Sequence, residues 1–130
     1  MVQEENVIVC DIDGTLTVES SGSRDYVSVP ICVPMRDRLI ELKAQGYWII
    51  LFTSRSMRTM QGNVGQILKH SAPVLLDWLA RHEVPYDELH FGKPWCGRGG
   101  FYVDDRAVRP REFLELSLPE LELRVAMDRV

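Results

Sequence analysis

The apolar run Val7-Ile8-Val9-Cys10 stops at Asp11-Ile12-Asp13-Gly14-Thr15, and few folds accommodate that junction. A short continuous apolar run of this kind reads as a buried strand, so the two carboxylates that follow lie where the strand leaves its sheet. Side chains alternate faces along an extended chain, while Gly14 permits a sharp turn. Asp11 and Asp13 are therefore expected in one pocket. Two acids held together repel unless a cation or a proton lies between them. Mg²⁺, which takes oxygen ligands, suits that position, and an aspartate there is also able to attack phosphorus. Alone, a D-x-D pair is as often a turn or a helix cap. A calcium loop opening at Asp11 would need glycine at its sixth position, where this chain has Leu16.

Strand and helix patterns alternate along the rest of the chain. Strands are expected over 6–10, 47–53, 88–91 and 100–103. A helix over 34–45 turns Leu39, Ile40 and Leu42 inward and stops at Gly46. A second, over 73–83, buries Leu75, Leu76, Leu79 and Ala80. Ser117-Leu118-Pro119-Glu120 reads as a capping box that opens a closing helix with Leu121, Val125 and Met127 inward. Such alternation predicts an α/β fold: a single Rossmann-like three-layer domain over residues 1–130, with a parallel sheet of about four to five strands. A chain of 130 residues is long enough for one layered core and too short for two.

Composition narrows the function classes. No apolar run approaches the roughly 20 residues of a membrane helix, and no basic-then-apolar leader opens the chain, so a cytoplasmic protein with no membrane partner is expected. A net charge of −4 argues against a nucleic-acid partner. Cys10, Cys32 and Cys96 are odd in number and lack metal-ligand spacing, which fits reduced thiols.

In open parallel sheets, ligands bind at the carboxyl ends of the strands. The expected strands deliver Asp11 and Asp13, then Thr53-Ser54-Arg55, then Gly92-Lys93-Pro94, and finally Asp104-Asp105. Together these supply carboxylates for a cation, a hydroxyl for a phosphoryl oxygen and an ammonium to balance charge. Phosphoryl transfer needs little else, because its catalysis is mostly positioning and charge stabilisation. The partner expected is a small phosphorylated substrate. Arg55 and Arg58, with Ser54 and Asn63, are candidates to contact it from the loop over 56–66. The competing reading makes both arginines solvated charges at a helix start.

DIDGTLT, LFTSR, FGKP and YVDDRA, in this order, resemble the four motifs of the haloacid dehalogenase superfamily, most of whose members are Mg²⁺-dependent phosphatases. The match runs over 6–110. MRTMQGNVGQI, VPYDELHFGKPWCGRGGFYVDDRAVRP and Asp25-Tyr26 are similar to a narrower group, small phosphatases found with capsule polysaccharide biosynthesis genes. The resemblance implies that Asp11 is nucleophile and metal ligand, and that Asp13 is the general acid/base with its backbone carbonyl on Mg²⁺. It gives Thr53 the transferring phosphoryl group and Lys93 its neutralisation. Asp104 and Asp105 would complete the metal site, either being the direct ligand. The larger relatives carry a cap domain. Here 17–32 is too short for one, and 55–90 is filled by a loop and a helix. A capless site implies a homo-oligomer, dimer or tetramer, whose interface narrows the entrance, with Trp95 and Phe101 as contributors. The substrate implied is a sugar-type or nucleotide-sugar phosphate. The rivals are a receiver domain, whose paired acids close its first strand whereas here an adjacent pair comes last, a phosphotransferase of the same superfamily, and a non-catalytic phosphate-binding module.

Overall fold

The computed structural model describes residues 6–18 and 25–128, and divides into two compact units, Met1–Trp95 and Cys96–Val130. The first unit holds three strands, β1 (Val7–Asp11), β2 (Trp48–Thr53) and β3 (Glu88–Phe91), paired in parallel in the order β1-β2-β3. Between them run α1 (Val33–Ala44), α2 (Val64–His70) and α3 (Ala72–Arg81). The register sets Asp11 against Phe52 and Thr53 against Phe91, so all three strands deliver their last residues to one edge.

Burial alternates along β2. Ile49, Leu51 and Thr53 are fully buried, while Trp48, Ile50 and Phe52 are half-buried and Val9 on β1 is 59% exposed. One sheet face is thus dry and the other half open. α1 buries Met35, Leu39 and Leu42, which follow the i, i+4, i+7 spacing of a single stripe. Ile40, expected inward, lies about 100° round the helix from Leu39 and is exposed. α3 likewise buries Leu75, Trp78 and Leu79, leaving Leu76 and Ala80 exposed, contrary to expectation. Trp78 takes the place they were given: its Nε1–H donates to the Val29 carbonyl at 2.9 Å, which satisfies the indole and lets it be enclosed. α2 falls partly in the expected loop. Asn63 caps it by accepting from the Gln66 N–H, and Ile67 anchors it in the core.

The two long connections in this unit hold no inserted domain among the described residues; 19–24, part of the segment expected to be too short for a cap, lie outside them. No helix among the described residues is long and apolar enough to cross a membrane.

The second unit contains α4 (Pro110–Glu115) and α5 (Leu118–Asp128). The expected strand over 100–103 is not formed, with Phe101 and Val103 almost fully exposed. An apolar run becomes a strand only where a neighbour takes its backbone groups, and no described residue is laddered to this one. Among the described residues the sheet therefore has three strands instead of the expected four to five. Phe101, given core packing or an interface by its sequence, is not packed in a core: it is 87% exposed. The capping box does form: Glu120 accepts from the Ser117 N–H at 3.1 Å, and Ser117 Oγ accepts from the Glu120 N–H at 3.3 Å. α5 buries Leu121 and half-buries Val125, but Met127 is exposed because the apolar stripe is only that wide. α4, for which no helix was expected, begins at Pro110 in the first turn, where proline's missing N–H costs nothing.

Candidate active site

The chain leaves β1 in a tight turn built on one carbonyl. Ile12 O accepts from the N–H groups of Thr15, Leu16 and Thr17 at 3.1, 2.8 and 3.1 Å, and the Ile12 side chain is fully buried beneath it. Gly14 sits at φ 84, the left-handed region that side chains rarely enter, and its N–H donates to Thr17 Oγ1 at 2.9 Å. The turn carries Asp13 toward the end of β2. There Thr53 Oγ1 donates to Asp13 Oδ2 at 2.6 Å, while Arg55 Nη2 and Nε donate to Oδ1 at 2.7 and 3.2 Å. The Arg55 backbone N–H donates in turn to Thr53 Oγ1 at 3.0 Å, so the hydroxyl hydrogen is left for Asp13.

Lys93 arrives from the third strand end. Gly92, at φ 91, turns the chain after β3, and the Lys93 N–H is held by Thr53 O at 3.1 Å. Lys93 Nζ donates to Asp11 Oδ1 at 3.2 Å and lies 4.8 Å from the centre of the Phe52 ring. Thr15 Oγ1 takes the other oxygen, Oδ2, also at 3.2 Å. Asp11, Asp13, Thr53 and Lys93 are thus gathered from three strand ends. A groove of about 310 Å³ along the half-open sheet face is lined by Ile50, Phe52, His90 and Lys93 among others.

A crystal structure of an MCSG target from Vibrio cholerae is similar at 43% identity and a TM-score of 0.90, over 95% of this chain and 99% of that one. This chain belongs to that protein's family. A chain of the Pnkp1/Rnl/Hen1 complex matches at 24% identity and a TM-score of 0.51, over 85% of this chain and 33% of its own length, and shares the fold. No family model and no curated protein matches the sequence.

The remaining candidates have varied fates. Arg55 is not a solvated charge: its side chain is 1% exposed, and the Tyr26 ring lies over it with its centre 3.9 Å from Cζ. Arg58 is exposed, 5.6 Å from the Trp95 ring centre. Ser54 is half-buried, and its carbonyl accepts from the Met57 N–H at 3.0 Å. The Asn63 side chain is occupied in capping α2. Asp104 and Asp105 belong to the second unit and are exposed, Asp104 Oδ1 accepting from the Arg106 N–H at 2.8 Å. No group of three or more His, Cys, Asp and Glu side chains placed to hold a metal occurs among the described residues. The Asp11–Asp13 pair is nonetheless all-oxygen and anionic, which is the chemistry Mg²⁺ accepts when one or two carboxylates and water complete its shell.

Burial holds the Asp11 carboxyl above the usual carboxylate range and the Asp13 charge adds to the effect, against the Lys93 ammonium and the Thr15 hydroxyl. The neighbouring Cys10 thiol is pushed up to about 12, first by burial and then by Asp11, so it stays protonated and inert beside the site. Thr15 and Tyr26 were not among the residues singled out for the site. Thr15 belongs to the DIDGT motif itself. Tyr26 lies far from the strand ends in sequence, and only the family resemblance drew attention to it.

Proposed function

We propose that the chain is a Mg²⁺-dependent phosphatase of the haloacid dehalogenase type, hydrolysing a phosphate monoester through an aspartyl-phosphate on Asp11. The observation that carries this reading is the division of donors between the two acids: Lys93 and Thr15 on Asp11, Thr53 and Arg55 on Asp13. Paired carboxyl groups in different environments take different roles. An Asp11 oxygen attacks phosphorus, the bond to the leaving oxygen breaks, and Asp13 gives that oxygen a proton. Asp13 then takes a proton from water as the water attacks phosphorus, the Asp11–phosphorus bond breaks, and inorganic phosphate leaves. Lys93, which lines the groove, balances the charge of the phosphoryl group. Asp11 and the Asp13 backbone carbonyl are the groups that would hold Mg²⁺, which supplies further neutralisation of phosphoryl oxygens. The motif resemblance supports a sugar-type or nucleotide-sugar phosphate as substrate.

The test is hydrolysis of an aryl phosphate by purified protein. Activity is expected with Mg²⁺ and not after EDTA, and Ca²⁺ should inhibit. Ca²⁺ prefers six to eight oxygens and would compete for the Asp11 carboxylate, the group that must be left to attack. Full activity in metal-free buffer would remove the metal from this account. Asp104→Asn and Asp105→Asn, measured by Mg²⁺ titration, test the part that the motif alone gives those residues: the variant that raises the half-saturating concentration identifies the ligand.

Arg58, exposed beside the Trp95 ring, suits contact with a second anionic group on the substrate. Arg58→Ala should lower kcat/KM about tenfold for a substrate with such a group, the worth of one charge-assisted hydrogen bond, and leave a small aryl phosphate nearly unchanged. An unchanged ratio between the two substrates would assign Arg58 to the solvated surface.

A further inference from the structure

We infer that Arg55 is a positioning residue for proton transfer: it holds the Asp13 carboxyl in place and does not serve as a clamp for substrate. The inference rests on the phosphatase reading and deepens it. A guanidinium with a side chain 1% exposed is seldom found in a protein unless paired, and the pairing here is with one atom. Nε and Nη2 both converge on Asp13 Oδ1, while Thr53 closes on Oδ2. The Thr53 hydroxyl and the Arg55 fork all donate to the Asp13 carboxylate, so both oxygens are fixed in direction. Arg55 also acts through its backbone, because its N–H sets the orientation of the Thr53 hydroxyl. The same residue thereby controls both halves of the carboxylate.

Two further features show that the chain is built to keep Arg55 where it is. Ser56, the next residue, adopts φ 65, a left-handed conformation that non-glycine residues rarely enter. Its hydroxyl is pinned to that of Ser71 at the start of α3, at 2.6 Å. On the other side Tyr26 lays its π face over the guanidinium. The Tyr26 segment is tied to α3 by Trp78 Nε1 on Val29 O at 2.9 Å and Arg81 Nη2 on Val27 O at 2.7 Å. Arg55 Nη1 is buried without a hydrogen-bond partner among the described residues. A free-standing substrate clamp would present its N–H groups to the open pocket, whereas two of these groups face Asp13 and this one is shut away.

A residue that fixes the proton donor affects reactions in proportion to their need for a proton. Arg55→Met removes the fork at nearly constant volume. For an alkyl phosphate, whose leaving oxygen must be protonated, kcat/KM should fall about 100-fold, within the range of general acid–base catalysis. For a dinitrophenyl phosphate, which departs as a stable anion, the fall should be less than about fivefold. Asp13→Asn and the double variant Asp13→Asn/Arg55→Met should be equally slow on the alkyl substrate, because the arginine has nothing left to position. Arg55→Lys, which retains the charge without the planar fork, should fall between, and is the variant read if Arg55→Met does not fold by circular dichroism. Equal losses on both substrates, or additive losses in the double variant, would overturn the assignment. A wild-type protein inactive on every phosphate monoester would instead reject the phosphatase reading, and this inference with it.

Discussion

Asp11→Asn should lower aryl phosphate turnover by about 10⁴-fold or more, a loss of the size seen when a nucleophile is removed and only binding and charge stabilisation remain. The amide is the same size but does not attack phosphorus. Its carbonyl oxygen still accepts from Lys93 or Thr15, so the surrounding hydrogen bonds found at 3.2 Å have a partner. Single-turnover measurements with labelled substrate should find no phosphorylated protein. A phosphorylated intermediate in the Asp11→Asn protein would move the nucleophile elsewhere, and turnover near the wild-type rate would end the covalent mechanism.

The same variant should be slightly more stable than wild type in metal-free buffer at neutral pH. Burial raises the folded carboxyl above its unfolded value of 3.8. Between those two values the folded protein binds the proton and the unfolded chain does not, so stability falls as pH rises through that window and stays reduced above it. Asparagine lacks the charge and escapes the loss. The Asp11 side chain is 31% exposed and solvent screens part of the effect, which limits the gain to about 1 kcal/mol. Unfolding by urea at pH 7 and again at pH 3 checks the sign: the advantage of the variant should be present at the first and vanish at the second.

The positions most legible in the sequence are those where backbone and chemistry coincide. The run Val7–Thr15 contains its own strand, its glycine turn and its two acids, and the parallel register then carries Thr53 and Lys93 to the same edge. Periodicity placed α1 and α3 but misjudged which residues face inward, since Ile40, Leu76 and Ala80 sit beside the stripe and are as apolar as its members. Apolar character alone does not report the angle at which a helix lies on its neighbour. The run at Phe101-Tyr102-Val103 fails for a different reason: a strand is defined by its partner, and a local window does not contain one. Arg55 was legible as important and illegible in role. Its hydrogen bonds to Asp13 span 42 residues of sequence, and its cover, Tyr26, comes from a connection with no secondary-structure signal.

That cover depends on Trp78, whose truncation should be the largest single loss of stability in the first unit. The indole is fully enclosed, and removing a buried Trp side chain costs about 3–5 kcal/mol, a large share of the roughly 5–15 kcal/mol that holds a domain folded. Trp78→Ala should therefore unfold at much lower urea, with an unchanged slope if the transition stays two-state. Trp78→Phe separates packing from hydrogen bonding. It retains most of the ring but has no N–H for Val29 O, so it should lose only about 1–2 kcal/mol. The functional consequence differs from the energetic one. Losing the 2.9 Å bond frees one of the ties that hold the Tyr26 segment to α3, and Tyr26 is what lies over Arg55. Well below its unfolding midpoint, Trp78→Phe should keep most of its activity on a dinitrophenyl phosphate and lose more on an alkyl phosphate, in the direction of Arg55→Met but weaker. A Trp78→Phe protein as unstable as Trp78→Ala would place the energy in the hydrogen bond and not in the packing. One with no leaving-group bias would show that the cover holds without this bond, through contacts such as Arg81 to Val27.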